Sequence, residues 1–349
     1  MFRIYAIIIL MDKMVYALIY DLIYCALAED ERSELFGEKI DEDSNVFVRS
    51  FAGEAFPQIW FELPLIKDAR YDLHVLTSRR AVDSDIKLCD GIFYPELFRW
   101  FSKSSGTRRL AMSHDLSKGI YDRPAAQLLF AGRDTSAGCD FLAEAKNASA
   151  ASAYKAFCER IPKEWFACYV GTFPQRNDMN LRVECIPDRS MQAIYSKDEG
   201  VLRRDLSQAG FEISDEMLRL VMFMALQNVR IEFQFNVDTY GCATPLLGVS
   251  LCFMPPTGEY SHLEFSDDNQ NVISLMSELS SLGLCDNRWK LLPGCAFAKC
   301  LTAGDASVRF GGYTAFIKVR MTRDRPIDAK AYIVAKTTLS KSVEKSHII

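Results

Sequence analysis

Positively charged side chains recur in strand-like segments of this sequence, and each segment alternates polar with apolar residues. One such segment, RIEFQFNVD, begins at Arg230, and its polar residues alternate with Ile231, Phe233, Phe235 and Val237. A strict period of two predicts a β-strand with one face on an apolar core and the other on a polar surrounding. Because fixed Arg and Lys side chains stabilise negative charge, the polar faces are candidates for binding an anionic group.

The same alternation appears in three other segments, LRVECI, FIKVRM and AKAYIVAK. Their polar faces carry the following side chains: Arg182 and Glu184; Lys318 and Arg320; and Lys330, Tyr332 and Lys336. Such a mixture could line the lumen of a closed sheet, because strand faces inside a barrel alternate with faces outside it. The alternative is an open antiparallel sheet with one face in solvent. A tyrosine between two lysines, and the Gln and Asn of RIEFQFNVD, favour the enclosed face.

Helices and strand pairs follow one another along the C-terminal part of the chain. Periodic apolar residues predict helices at 149–161, near 189–208, and at 214–228, 267–284 and 286–292. Alternating segments predict the strand pairs 165–173 with 181–186, 230–238 with 246–254, and 315–321 with 329–335. Short connections within a pair imply antiparallel pairing, and the helices must pack their apolar stripes on one face of the sheet.

These elements predict an α+β fold that forms a single domain over residues 1–349. Its repeated helix-pair and antiparallel strand-pair units are clearest over residues 149–336. If the polar strand faces are enclosed, the sheet closes into a β-barrel with the helices outside and a polar lumen inside.

The composition excludes several classes of protein. A net charge of −5 argues against a general nucleic-acid binder. Eleven cysteines, an odd number without a CxxC pair, suit reduced thiols in the cytoplasm, and only four histidines argue against a zinc site. The sequence also lacks a GxSxG elbow, a Walker A motif and an HExxH motif.

The N-terminal segment 1–29 is apolar and allows two interpretations. We expect a short strand followed by a buried amphipathic helix from about Asp12 to Glu29. The alternative is a cleaved signal peptide, because CALA ahead of Glu29 is similar to a signal-peptidase site. Asp12, Lys13 and Asp21 interrupt the apolar run, which is too short for a membrane span.

With these strands in place, the chain resembles the ABBA-type aromatic prenyltransferases, the group that includes the dimethylallyltryptophan-synthase-like enzymes. IKVR and AKAYI resemble the Lys-x-Tyr strands of the C-terminal units in that family. FPQIWFELPL (56–65) resembles an early strand of the family and contains Glu62. LLGVSLCF departs from the pattern, because Gly248, Ser250 and Cys252 stand where the family has Lys and Tyr.

This resemblance implies an activity and a set of site residues. The activity is transfer of an allyl group, a dimethylallyl group in our expectation, from its diphosphate to an aromatic small molecule or a peptide, as in secondary metabolism. The residues that would hold the diphosphate are Arg182, Arg230, Lys318 and Lys330. Tyr332 would shield the allyl cation, and Glu62 would orient the acceptor. No cofactor is required by this chemistry, although Mg²⁺ could accompany the diphosphate.

Other interpretations of the same residues remain open at this point. The polar sheet face could instead recognise a peptide or protein without catalysis, or the scaffold could support a tailoring reaction of different chemistry. Glu184 and Glu232 could recognise a cationic acceptor or pair with neighbouring arginines. DDNQN (267–271) matches a magnesium-diphosphate pattern, but it precedes an apolar run, so we expect Asp267 or Asp268 to cap a helix.

Overall fold

The computed structural model describes residues 27–37, 58–66, 71–78, 95–103, 108–114, 125–130, 135–145, 148–173, 181–227, 230–255, 263–303 and 306–341. The strand and helix expected in residues 1–29 lie almost entirely outside this part of the chain. The first described helix, α1, runs from Glu29 to Phe36.

Short alternating segments along the chain form a large antiparallel sheet. The described strands are β1 (Gln58–Pro64), β2 (Asp72–Ser78), β3 (Arg108–His114), β4 (Ala125–Phe130), β5 (Trp165–Thr172), β6 (Leu181–Pro187), β7 (Arg230–Val237), β8 (Ala243–Cys252), β9 (Phe297–Ala303), β10 (Ala306–Met321) and β11 (Pro326–Lys341). Strands β1 to β8 pair in sequence order, β10 pairs with β8, and β11 pairs with both β10 and β1. The sheet therefore closes into a ring, and the predicted barrel is confirmed.

Strand β10 is long enough to have two partners on the same edge. Its residues 316–321 pair with β8, whereas residues 306–312 pair with β9 beyond the ring. Strand β11 pairs with β10 along nearly its whole length, from Ala306 opposite Lys341 to Met321 opposite Pro326. This long hairpin supplies two of the strands whose polar faces the sequence singled out.

Amphipathic segments form helices around the sheet. After α1 the described helices are α2 (Pro95–Lys103), α3 (Ser136–Glu144), α4 (Ala148–Cys158), α5 (Arg189–Tyr195), α6 (Glu199–Gln208), α7 (Asp215–Ala225) and α8 (Gln270–Ser281). Helix α7 begins as predicted, because the Ser214 hydroxyl accepts a hydrogen bond from the Met217 amide at 3.4 Å. The helix predicted over 286–292 is present as a 3₁₀ helix over residues 287–295, which contains Pro293.

The apolar face of β7 shows where the core lies. Ile231, Phe233, Phe235 and Val237 are buried. Phe235 lies 5.3 Å from the ring of Phe157 in α4, and helix α5 also packs on β7. The core is thus the layer between the barrel wall and its helices, and the polar residues of β7 face the opposite side, into the lumen.

Candidate active site

The lumen contains a cavity of about 380 Å³ that polar side chains from most strands of the ring help to line. These side chains are Glu62, His74, Arg109, Gln127, Arg182, Glu184, Arg230, Glu232, Gln234, Ser250, Lys318 and Tyr332. Strand register brings several of them together: Lys318 is opposite both Lys330 and Ser250, and Ser250 is opposite Glu232. Residues that are far apart in sequence therefore share one chamber, because directly opposite residues of paired strands point to the same face.

The structure brings together the residues that the sequence selected. The members of that set that line the cavity are Glu62, Arg182, Arg230, Lys318 and Tyr332. The remaining one, Lys330, is a neighbour of this chamber, and its Nζ donates a hydrogen bond to Glu62 Oε1 at 2.5 Å. The predicted set is thus one spatial cluster, and the role of each member remains a proposal.

Besides Lys330, two other cations of the set have carboxylate partners inside the lumen. Lys318 Nζ lies 3.4 Å from Glu184 Oε1, which also accepts a hydrogen bond from the Ser250 hydroxyl at 3.1 Å. Arg230 Nη2 lies 2.6 Å from Glu232 Oε1. An anion that enters the lumen must therefore compete with these carboxylates for the cations.

The partners of Arg182 include a neutral side chain and an aromatic ring. Its Nε donates a hydrogen bond to Asn236 Oδ1 at 3.3 Å, and its guanidinium carbon lies 4.5 Å from the centre of the Phe173 ring. Arg182 also interacts electrostatically with Tyr332, which places its guanidinium beside the aromatic wall of the cavity.

Glu184 and Glu232 stand on neighbouring strands and repel each other. Burial, together with the negative charge of Glu184, raises the pKa of Glu232 to about 7, although Arg230 acts in the opposite direction. A carboxyl with that pKa exchanges its proton near neutral pH. Protonation of Glu232 would remove the charge that holds Arg230.

Glu62 lies at the centre of a second polar cluster. Lys330 binds its Oε1, and His74 Nε2 lies 3.1 Å from its Oε2. Burial alone would raise the pKa of Glu62, but the charge of Lys330 and the hydrogen bond from His74 outweigh it and hold the pKa well below its usual value. Glu62 is therefore an ionised carboxylate in the cavity wall.

The Glu62 cluster extends over three strands, β2, β3 and β4, that sequence reasoning missed. His74 Nδ1 lies 2.5 Å from the Ser113 hydroxyl oxygen, which also accepts a hydrogen bond from the Gln127 amide. The signal was present: His74 stands between Leu73 and Val75 at the spacing of a half-buried strand.

Aromatic rings form the wall beside these charges. Trp60 stacks on Phe316 with ring centres 5.0 Å apart, and Phe316 meets Tyr332 edge to face at 6.2 Å. Lys318 Nζ lies 4.9 Å from the centre of the Tyr332 ring. Burial raises the pKa of Tyr332 well above its usual value, so the phenol stays protonated. Faces of aromatic rings stabilise cations, as the contact with Lys318 illustrates.

Metal binding has no protein-built site in the described ranges, where no three metal-ligating side chains cluster. DDNQN does not provide one: Asn269 is the N-cap of α8, its side-chain oxygen accepting from the Asn271 amide at 3.0 Å. The expected cap at Asp267 or Asp268 was thus wrong by at least one residue. Among the helices that the structure describes, none is long and apolar enough to cross a membrane.

No protein-family model matches the chain, and no curated protein matches it either. Solved structures of similar architecture include the 6-dimethylallyltryptophan synthase of Micromonospora olivasterospora in complex with DMASPP and Trp. That match has a TM-score of 0.47 and 9% identity, and it covers 92% of this chain and 95% of that one. The apo form of the prenyltransferase PriB has a TM-score of 0.47 and 14% identity over 93% of this chain and 96% of its own.

The 5-dimethylallyltryptophan synthase of Streptomyces coelicolor is a further match, with a TM-score of 0.42 and 10% identity over 93% of this chain and 95% of that one. These structures are members of the group that the sequence resembles. At these identities and TM-scores no residue role is carried over to this chain, and closure of the barrel rests on its own strand pairing.

Proposed function

We propose that this chain transfers an allyl group, dimethylallyl by preference, from its diphosphate to an aromatic small molecule or a peptide. The observation that carries the proposal is the arrangement of the lumen. A cluster of cations lies against a wall of aromatic rings, and an ionised carboxylate, Glu62, stands in the same chamber of about 380 Å³. Ionisation of an allyl diphosphate needs cations at the leaving group and ring faces at the allyl cation, and both are present.

In the proposed reaction, Arg182, Arg230 and Lys318 bind the diphosphate. The carbon–oxygen bond breaks, and its electron pair stays on the diphosphate, whose charge the cations stabilise. Tyr332, with Phe316 beside it, would face the delocalised allyl cation and keep water away from it. The aromatic carbon of the acceptor then forms the new carbon–carbon bond, and the ring proton passes to the Glu62 carboxylate.

Lys330 has a different task in this proposal from the one that the resemblance implies. Its Nζ donates to Glu62 Oε1 at 2.5 Å. A lysine that binds a buried carboxylate so closely has part of its hydrogen-bonding capacity committed. We therefore assign Lys330 to holding Glu62 and leave the diphosphate to the other three cations.

The alternative of a non-catalytic module that binds proteins through its polar sheet face receives less support. That face points into the lumen, because the apolar face of β7 is covered by helices. A protein surface could reach the polar face only through an end of the barrel, whereas a small molecule or a peptide side chain could enter the cavity. A cytoplasmic location, expected from the number and spacing of the cysteines, is part of this proposal.

Isothermal titration with a non-hydrolysable dimethylallyl diphosphate analogue tests the proposal. We expect micromolar binding that Lys318→Ala weakens about tenfold or more. Lys290→Ala is the matched control, because Lys290 is exposed on the 3₁₀ helix. No heat at millimolar analogue with the folded wild-type protein would contradict the proposal.

A further inference from the structure

His74 has no role in the reaction proposed above, but it forms a hydrogen bond with Glu62, the carboxylate that would face the acceptor. We propose that His74 is a positioning residue: with Ser113 and Gln127 behind it, it fixes the orientation of the Glu62 carboxylate toward a hydrogen-bond donor of the acceptor. This assignment rests on the proposed function for the identity of the acceptor, but the hydrogen-bond chain itself can be tested without any substrate.

The direction of each hydrogen bond follows from what each atom can do. An ionised carboxylate only accepts hydrogen bonds, so the proton between His74 and Glu62 belongs to Nε2 of the imidazole. The Gln127 amide nitrogen donates to the Ser113 oxygen. The Ser113 hydroxyl proton is then free to point at His74 Nδ1, 2.5 Å away. Each donor in this hydrogen-bond chain therefore points toward Glu62.

Both oxygens of Glu62 are held, and from opposite sides. Lys330 on β11 binds Oε1 at 2.5 Å, and His74 on β2 binds Oε2 at 3.1 Å. Strands β11 and β2 are the two neighbours of β1 in the sheet, so the carboxylate is fixed by both adjacent strands. The Tyr332 phenol also bonds to this carboxylate. A carboxylate held in this way cannot turn to follow a ligand, and its remaining lone pair accepts only from a group placed correctly in the cavity.

The arrangement defines a class of acceptor. The cavity presents a fixed, ionised hydrogen-bond acceptor at Glu62, and so it selects aromatic molecules that carry an N–H or O–H group. A molecule whose donor has been methylated cannot donate to the carboxylate and leaves it without that partner. Indole and 1-methylindole form a suitable pair of probes because they differ only in this donor.

The tautomer of His74 tests the hydrogen-bond chain, and it can be measured in the full-length protein without ligand. Nitrogen-15 spectra of the imidazole, assigned by their loss in His74→Gln, should show Nε2 protonated and Nδ1 unprotonated at pH 7.5. Ser113→Ala should move the Nδ1 signal, whereas Ser250→Ala, a second lumen serine, should not, because Ser250 bonds to Glu184. A protonated Nδ1, or an Nδ1 signal that ignores Ser113→Ala, would overturn the assignment.

Binding measurements test the consequence for the acceptor. In the presence of the diphosphate analogue, wild-type protein should bind indole at least about tenfold more tightly than 1-methylindole. His74→Leu should abolish that ratio and leave the affinity for the analogue within about twofold. His74→Gln, which retains a donor near the position of Nε2, should restore part of the ratio.

The two kinds of failure are distinguishable. If His74→Leu still binds indole at least about tenfold more tightly than 1-methylindole, the positioning role is overturned, even when the analogue binds normally. Wild-type protein that binds neither the analogue nor indole would refute the proposed function, and the tautomer of His74 would still decide whether the hydrogen-bond chain exists.

Discussion

Lys318 and Glu184 meet although β7 and β8 separate their strands in the barrel wall. Lys318 is on β10 and Glu184 on β6, yet Nζ and Oε1 are 3.4 Å apart, and both side chains are largely buried. The long lysine side chain thus reaches past Ser250, which bonds to the same carboxylate oxygen. This contact makes the charge of Lys318 available to an anion only in competition with Glu184.

Removing the carboxylate should therefore strengthen anion binding. We expect Glu184→Gln to bind the dimethylallyl diphosphate analogue about fivefold to tenfold more tightly than the wild type, because Lys318 loses its buried competitor. Titration calorimetry measures the change. Weaker binding by this variant, in a protein with unchanged circular dichroism, would mean that Glu184 itself assists the anion.

Anion binding should also depend on the protonation of Glu232. Its pKa of about 7 is raised by burial and Glu184, and Arg230, Cys252 and Lys318 also face it. As the pH falls through this value, Arg230 loses its charged partner, so the affinity for the analogue should rise. Glu232→Gln should bind tightly at pH 8 and show a flatter pH dependence. An identical slope in this variant and the wild type would exclude Glu232 as the titrating group.

The same carboxyl should affect stability with a definite sign. The folded-state pKa of Glu232, about 7, exceeds the usual value of 4.5, so the protonated carboxyl stabilises the folded state relative to the ionised one. This contribution is fully present below pH 4.5 and is lost as the pH rises through 7. Glu232→Gln should therefore raise the melting temperature at pH 8 and change it little at pH 5. Calorimetric unfolding at both values decides this, and a larger gain at pH 5 would reverse the predicted sign.

Tyr195 should contribute to stability through a buried hydrogen-bond chain outside the lumen. The Trp165 indole N–H donates to the Tyr195 oxygen at 2.6 Å, and the Tyr195 hydroxyl donates to Asp205 at 2.7 Å. Tyr195→Phe leaves both partners buried without it, so we expect a loss of about 1–3 kcal/mol in the free energy of unfolding. Tyr240→Phe is the control, since Tyr240 is 80% exposed. Equal effects in urea unfolding would refute this account.

Divalent cations should be dispensable for binding of the diphosphate. Arg182, Arg230 and Lys318 supply positive charge from the protein, so the analogue should bind with the same affinity, within about twofold, in EDTA and in Mg²⁺. A loss of tenfold or more in EDTA that Mg²⁺ reverses would assign a metal ion to the diphosphate.

The strands of the site could be read from the sequence because their alternation is long. RIEFQFNVD shows nine residues of strict period two, and the faces assigned to Arg230 and Phe233 are those observed. Helix α7 could be predicted equally well, because Ser214 is the N-cap of a helix that has an apolar stripe. Both features depend on local spacing, which a sequence displays directly.

Contacts across the lumen could not be read in that way. The meeting of Lys318 with Glu184 depends on the stagger between strands around the ring, which no single segment determines. His74 and Ser113 were missed because the lumen faces of β2 and β3 also carry apolar Leu76 and Ala111, which interrupt the alternation of polar with apolar residues. Only the closed barrel places His74 beside Glu62 and Ser113 beside His74.

Turnover tests the central claim most directly. Wild-type protein would be incubated with dimethylallyl diphosphate and a panel of aromatic acceptors that includes indole, with Lys318→Ala and Lys290→Ala in parallel, and products would be identified by mass spectrometry. We predict an acceptor heavier by one dimethylallyl group, formed at a similar rate with Lys290→Ala and at least about tenfold more slowly with Lys318→Ala. Folded protein that binds the analogue but prenylates no acceptor, or equal rates in wild type and Lys318→Ala, would contradict an allyl transfer centred on this lumen.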